Sequence, residues 1–167
     1  MPRSDEGGKQ SRMNDAGATL SPLVLLVHHA DAVGAHVDAQ RPLSARGLAQ
    51  AQRLAEHVKS RGFAPAVIWH SGKLRGRQTA EAFLRVCQPF AEFHMVRGLQ
   101  SEDSPEWMRD ELFGEARDIL LVGHMPHIAD LARLMSPGSG TFPIHGVIAL
   151  ERHGGDRFWT EAWRAAP

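Results

Sequence analysis

The sequence predicts an α/β fold, a sandwich of helices around a mostly parallel sheet with an antiparallel edge strand at its C-terminal end. Two observations carry that expectation. Short apolar, β-branched runs alternate along the chain with segments whose apolar residues recur at helical spacing. The three strongest runs also lead into polar, histidine-bearing segments: His28-His29, His70-Ser71 and His124. In open sheets of this class ligands bind outside the carboxyl ends of the strands. The second observation therefore gathers distant residues around one crevice.

In chain order, Leu23-Val-Leu-Leu-Val27 is wholly apolar, as in a strand buried on both faces. A polar loop follows to Leu43, and Ser44 is a suitable N-cap for a helix along which Leu48, Ala51, Leu54, Ala55 and Val58 recur at helical spacing. Arg61-Gly62 stops it. Ala66 to Trp69 is a second buried strand, and Ala80, Phe83, Leu84 and Cys87 mark a second helix. Phe93 to Val96 reads as a short strand. Ser104-Pro105-Glu106 gives a cap, a first-turn proline and a first-turn acid for a third helix ending near Gly114. Asp118 to Val122 is the third strong strand. Ile128, Leu131, Ala132 and Met135 define a fourth helix, closed by Ser136-Pro137-Gly138. Val147 to Leu150 and Phe158 to Trp163 read as strands flanking a turn at Gly154-Gly155.

With 167 residues, 43% apolar and 23% charged, the chain suits one domain with a real core. We expect residues 21–167 to form it, behind a polar, Gly-rich, disordered extension over residues 1–20. Lys+Arg and Asp+Glu are equal at 19 each, so no global field draws in nucleic acid or anionic lipid, and neither is expected as a partner. An anion site must be a local cluster. The single cysteine, Cys87, excludes an intrachain disulfide and a thiolate metal cluster. No apolar run approaches the roughly 18 residues that span a bilayer, and the N-terminus shows no signal-peptide core. A cytoplasmic protein is the simplest expectation.

Histidine is a competent phosphoryl acceptor, because neutral imidazole is nucleophilic near neutral pH and its phosphoramidate hydrolyses readily. Such a site needs an uncharged imidazole in line with phosphorus and cationic donors around the equatorial oxygens. His29, followed by the small Ala30, with Arg75 and His124, could supply these parts.

Four segments make this specific. His28-His29-Ala30-Asp31-Ala32 resembles the Arg-His-Gly/Ala-Glu/Asp-Ala signature of the histidine phosphatase (phosphoglycerate mutase-like) superfamily. Arg41-Pro42-Leu43-Ser44-Ala45-Arg46-Gly47 resembles a segment typical of its SixA branch of phosphohistidine phosphatases. Ser71 to Ala80 resembles the segment with the family's second arginine, and Leu120 to Pro126 the one with its second histidine. The resemblance implies a three-layer α/β/α sandwich, a phosphorylated His29, phosphoryl oxygens bound by Arg75 and His124, and Asp31 in the acidic position after the motif. It implies no metal and no cofactor. The substrate would be a phosphohistidine-bearing phosphotransfer or phosphorelay protein, with inorganic phosphate as product. A small phosphorylated molecule is the alternative substrate.

One departure stands out. The arginine that normally precedes the nucleophile is His28, a shorter group that titrates near neutrality. Losing an arginine donor could cost about 2–4 kcal/mol of transition-state stabilisation. A protonated His28 could recover part of it, or Arg41 could reach in. The change could instead have left a catalytically weak phosphoprotein-binding module. For a general acid, only Glu102 and Asp103 fall in the right region. The weak acid equipment favours phosphoramidates, whose imidazole can leave already protonated. A metal reading of His28, His29, His124 and His127 lacks familiar ligand spacing. Of the other histidines, His145 could line the pocket, since it follows Pro143 where the last segment begins. His36, His57, His70, His94 and His153 read as surface or incidental. Trp107, Trp159 and Trp163 read as core or edge packing.

Overall fold

The computed structural model describes residues 21–153 and 158–167, so the predicted extension and the Gly154-Gly155 turn lie outside the described residues. In chain order it contains β1 (Leu23–His28), α1 (Ala45–Ser60), β2 (Val67–His70), α2 (Leu74–Cys87) and β3 (Glu92–Met95). Then come α3 (Pro105–Gly114), β4 (Ile119–Gly123), α4 (His127–Met135), β5 (Val147–Glu151) and β6 (Thr160–Ala165). The strands form one sheet in the order β3-β2-β4-β1-β5-β6.

β1 to β4 run parallel, through the pairs β1–β4, β4–β2 and β2–β3. β5 runs antiparallel to β1 and to β6. The reversed strand is thus one place in from the edge. β6 reverses again when it pairs with β5, so the edge strand runs with β1.

The period-two alternation of strand side chains divides the core into two halves. Val24 and Leu26 of β1, with Ile119 and Leu121 of β4, pack on Met108 and Leu112 of α3 and Ile128, Leu131 and Met135 of α4. Leu23, Leu25 and Val27, with Leu120 and Val122, face the opposite way onto Leu54 and Val58 of α1 and Ala80 and Phe83 of α2. The result is the three-layer α/β/α sandwich. Among the described residues no helix is long and apolar enough to cross a membrane.

Local signals mostly hold. The Ser44 hydroxyl caps α1 by accepting the Gly47 amide at 3.0 Å. Ser104 precedes α3 but does not cap it, because its hydroxyl turns to the Glu106 carboxylate. Trp159 is buried, and Trp163 on the edge strand lies under the Arg61 guanidinium at 4.7 Å. Trp107 departs from the packing expectation: it is 66% exposed and lines a surface groove with Trp69 and Val96. His70 is buried rather than incidental, and its Nδ1 accepts the Gly72 amide at 3.1 Å.

Gly47 fixes the approach of α1 to the segment after β1. A Cβ at this position would stand 1.9 Å from the carbonyl oxygen of Asp31. That oxygen already accepts the Ser44 amide at 3.0 Å, so neither side can move without breaking the helix start. Gly47→Ala should therefore cost at least about 2–3 kcal/mol, at the upper end for overpacking. Gly114, whose Cβ direction is open, serves as the control. Urea unfolding that showed no greater loss for Gly47→Ala than for Gly114→Ala would contradict this packing.

Candidate active site

β2, β4 and β1 are neighbours, so their carboxyl ends set His70-Ser71, His124 and His28-His29 side by side. The His29 amide donates to the Gly123 carbonyl at 3.2 Å, tying the end of β1 to the end of β4. α2 starts three residues after Ser71 and carries Arg75 in its first turn. β5 runs the other way, so its entry falls at this same edge of the sheet. The His28 amide donates to the Gly146 carbonyl at 3.0 Å, and this brings His145 against the pair.

Hydrogen bonds set the tautomer of His29. Its Nδ1 lies 2.7 Å from the Ala30 carbonyl, which can only accept, so Nδ1 carries the proton. Its Nε2 accepts from Arg75 Nε at 3.3 Å, so the lone pair is on Nε2 and faces the guanidinium. Burial, opposed in part by the Ala30 carbonyl and assisted by the Arg75, His145 and Arg41 charges, lowers the imidazole pKa to about 4. The ring is neutral at physiological pH, as a nucleophile requires. Thr79 holds this pair in place: its hydroxyl accepts the Ala30 amide at 3.0 Å and donates to the Arg75 carbonyl at 2.8 Å.

His28 is held differently. Its Nδ1 accepts the His145 amide at 3.0 Å, so the neutral ring carries its proton on Nε2. Burial, then the neighbouring His29, His145 and Arg75, lowers its pKa to about 3. Both the burial and the amide held by Nδ1 argue for a neutral His28 rather than the charged one the sequence offered. A neutral His28 offers an Nε2–H donor at this position across the physiological range.

His124 is buried, and its Nε2 lies 2.5 Å from the Ser71 hydroxyl. Burial first, then His29 and Arg75, holds its pKa well below the usual imidazole range. Its ring is 4.9 Å from that of His29, centre to centre. Gly76 permits this packing, since a Cβ there would meet Ser71 Oγ at 3.0 Å and His124 Nε2 at 3.6 Å. Sequence reasoning placed Ser71 at a strand end facing the crevice without giving it a bond, and did not single out Thr79 or Gly76. The available signal was helical spacing, which sets Thr79 four residues after Arg75 on the same face of α2.

The remaining candidates divide. Asp31 accepts the Ser44 hydroxyl at 2.6 Å while Gln50 Oε1 accepts the Asp31 amide at 3.0 Å. It thus orients the start of α1. Arg41, held at a positive φ of 49° with Nε donating to the Val33 carbonyl at 3.1 Å, is close enough for its charge to act on both His29 and Arg75. Glu102 lies exposed on the loop before α3, its carboxylate accepting the Ser101 hydroxyl at 2.7 Å. That bond keeps Glu102 ionised, which makes it a poor proton donor. Asp103 is occupied by the Gln100 amide at 2.8 Å.

Ring nitrogens of His28, His29 and His145 lie within 4.8 Å of one another, a spacing that raises the question of a metal ion. Two features disfavour one. His28 presents an N–H rather than a lone pair, and the Arg75 and Arg41 charges that repel a proton from His29 would repel a divalent cation more strongly. The same field attracts a phosphate dianion.

These neutral, buried imidazoles carry a pH signature. In the unfolded chain they bind protons below about pH 6.5, whereas folded His29 and His28 do so only near 4 and 3. The unfolded state binds more protons in that interval, so their contribution to stability is full above pH 6.5 and is lost as pH falls toward 4. In phosphate-free buffer the urea midpoint should drop between pH 7 and pH 4.5 by the equivalent of a few kcal/mol. A midpoint independent of pH over that range would contradict the assigned protonation states.

A neutral imidazole at a strand end, ringed by an arginine and two further histidines on a three-layer sandwich, is an arrangement suited to phosphoryl transfer through histidine. The family model of the histidine phosphatase superfamily (branch 1) matches residues 24–125, and the chain belongs to that superfamily. Comparison with curated protein sequences returns no match. Among solved structures, the protein histidine phosphatase SixA complexed with tungstate superposes with a TM-score of 0.78 at 20% identity, covering 87% of this chain and 97% of that one. A protein assigned as phosphohistidine phosphatase SixA from Agrobacterium tumefaciens gives 0.74 at 26% identity, covering 88% and 99%. A mycobacterial glucosyl-3-phosphoglycerate phosphatase bound to VO3 gives 0.67 at 15% identity, covering 88% and 100%. The sandwich is common to all three.

Proposed function

We propose that this chain is a phosphohistidine phosphatase that removes phosphate from a phosphohistidine-bearing protein through a covalent phospho-His29 intermediate, without a metal. The observation that carries the reading is the tautomer of His29, with Nδ1 pinned to a carbonyl and the Nε2 lone pair facing Arg75. In the first step Nε2 attacks phosphorus and the substrate imidazole leaves. In the second, water attacks phospho-His29 and His29 returns to its resting tautomer with no proton change on the ring. Arg75, the His28 Nε2–H and His124 surround the phosphoryl oxygens, and the Arg41 charge adds to the field.

Two further points favour a protein substrate. A groove of about 470 Å³ lined by Ala39, Gln40, Gly72, Lys73, Leu74 and Arg77 runs beside Arg75, leaving room for more than a phosphate. The SixA structures also share this chain's fold over nearly their whole length. Likeness to the glucosyl-3-phosphoglycerate phosphatase supports the second reading, a small-molecule phosphomonoesterase. Measured kcat/KM on a phosphohistidine phosphotransfer domain and on a panel of sugar and glycerate phosphates separates them. A preference of at least tenfold for the protein supports the first reading, and the reverse preference overturns it. Phosphate binding without turnover on either would identify a binding module.

A further inference from the structure

The groove beside Arg75 carries more positive charge than a single phosphoryl group needs. One wall is the start of α2, with Gly72, Lys73, Leu74, Arg75 and Arg77, and the other is Ala39 and Gln40 from the loop after β1. No acid is among these lining residues. Asp38, next to Ala39, accepts the Gln40 amide at 2.8 Å. The chain as a whole is neutral, so the excess is local to this groove.

Lys73 is half-buried, and among the described residues its ammonium makes no hydrogen bond or ion pair. Its charge acts on His124 and on Glu102, so it stands close to both. Glu102 itself bonds the Ser101 hydroxyl and does not line the groove. Arg77 stands one helical turn after Lys73, its amide bonded to the Lys73 carbonyl at 2.9 Å. Like charges at this spacing repel one another. The Arg77 Nε donates to Glu81 at 2.8 Å, which steadies the guanidinium and leaves its terminal nitrogens for a ligand. Met95 adds an apolar contact at the same place. It is 71% exposed and packs over Gly72, where an added Cβ would lie 2.5 Å from its sulfur. An exposed methionine at the rim of a charged groove suits a protein surface better than a small anion.

From this arrangement we infer that Lys73 and Arg77 form a second anion subsite, which takes a carboxylate side chain of the substrate protein beside its phosphohistidine. The subsite rests on the phosphatase reading proposed above and determines which phosphohistidine proteins are accepted. Arg75 and the histidines hold the phosphoryl group, while Lys73 and Arg77 pair with an aspartate or glutamate of the partner. All three cations line one groove of about 470 Å³, so the two anions bind as near neighbours. A helical partner presents such an acid three or four residues from its phosphohistidine.

The probes are three phosphohistidine peptides that differ only at the positions three and four residues from the phosphohistidine, which carry glutamate, glutamine or lysine. Wild type should prefer the glutamate peptide to the glutamine peptide by about tenfold in kcat/KM, mainly through KM, with the lysine peptide poorest. Salt at about 1 M, where the Debye length is about 3 Å, should erase most of that preference. The double variant Lys73→Gln, Arg77→Gln should lose the preference, and Lys73→Glu, Arg77→Glu should reverse it, with the lysine peptide best. Equal turnover of the three peptides by wild type would overturn the subsite. So would a fall in kcat shared by all three peptides in the variants with their order unchanged, which would mark a structural role. A wild type that treats the peptides alike but favours a carboxylate-bearing phosphomonoester over its uncharged counterpart would overturn the protein assignment in favour of a small molecule. No turnover of any peptide would overturn the phosphatase reading itself, and the subsite with it.

Discussion

His29→Ala is expected to abolish phosphoenzyme formation and to lower turnover by about 10⁴–10⁶-fold, the range seen when a covalent nucleophile is removed from an otherwise intact site. The fold should survive the change. His29 sits just past β1, and the ladder bonds of β1 to β4 and β5 do not involve its side chain. Truncating the ring also removes a buried imidazole that is costly to protonate, so the variant should resist acid unfolding better than wild type. Its affinity for inorganic phosphate should be retained, because Arg75, His28 and His124 remain. Phosphate binding by calorimetry, beside turnover and unfolding measured in the same preparation, separates loss of chemistry from loss of structure. Residual turnover above about 1% of wild type would assign the nucleophile elsewhere.

Arg75→Ala should cost about 10²–10³ in kcat/KM, equivalent to about 3–4 kcal/mol of transition-state stabilisation. Arg75→Lys should recover little of it. A lysine gives one point charge, whereas the guanidinium turns Nε to His29 and has its remaining N–H groups for phosphoryl oxygens. The alanine variant carries a second, independent signature. The Arg75 charge adds to burial in keeping His29 deprotonated, against the opposing pull of the Ala30 carbonyl. Removing that charge should raise the His29 pKa, so the acid limb of kcat/KM moves up from about 4. A lysine with the right charge should restore the acid limb without restoring the rate. Recovery of both by lysine would show that charge alone matters and that the fork geometry does not.

The sequence makes the strand ends legible because apolar runs stop abruptly at histidines, and strand order does the rest: β2, β4 and β1 are adjacent in the sheet. Arg75 was equally accessible, since it falls in the first turn of a helix that directly follows a strand. The role of His28 was not. Its protonation state depends on an amide 117 residues away, delivered by the antiparallel entry of β5, and no local pattern encodes that contact. The same non-local pairing is why His145 could be placed near the pocket but not assigned a bond. Gly47 and Gly76 are similar cases. Their importance lies in what a Cβ would strike, Asp31 in one case and Ser71 in the other, and those neighbours come together only in the folded chain.

Trapping the intermediate tests the central claim most directly. The wild-type protein, mixed with a phosphohistidine phosphotransfer domain and quenched in alkali within milliseconds to seconds, is digested and the phosphopeptides are mapped by mass spectrometry. The account predicts an acid-labile phosphate on His29 Nε2, formed and lost at rates compatible with turnover and absent from His29→Ala. Turnover with no labelled His29, or label carried instead by His124 or His145, would contradict it.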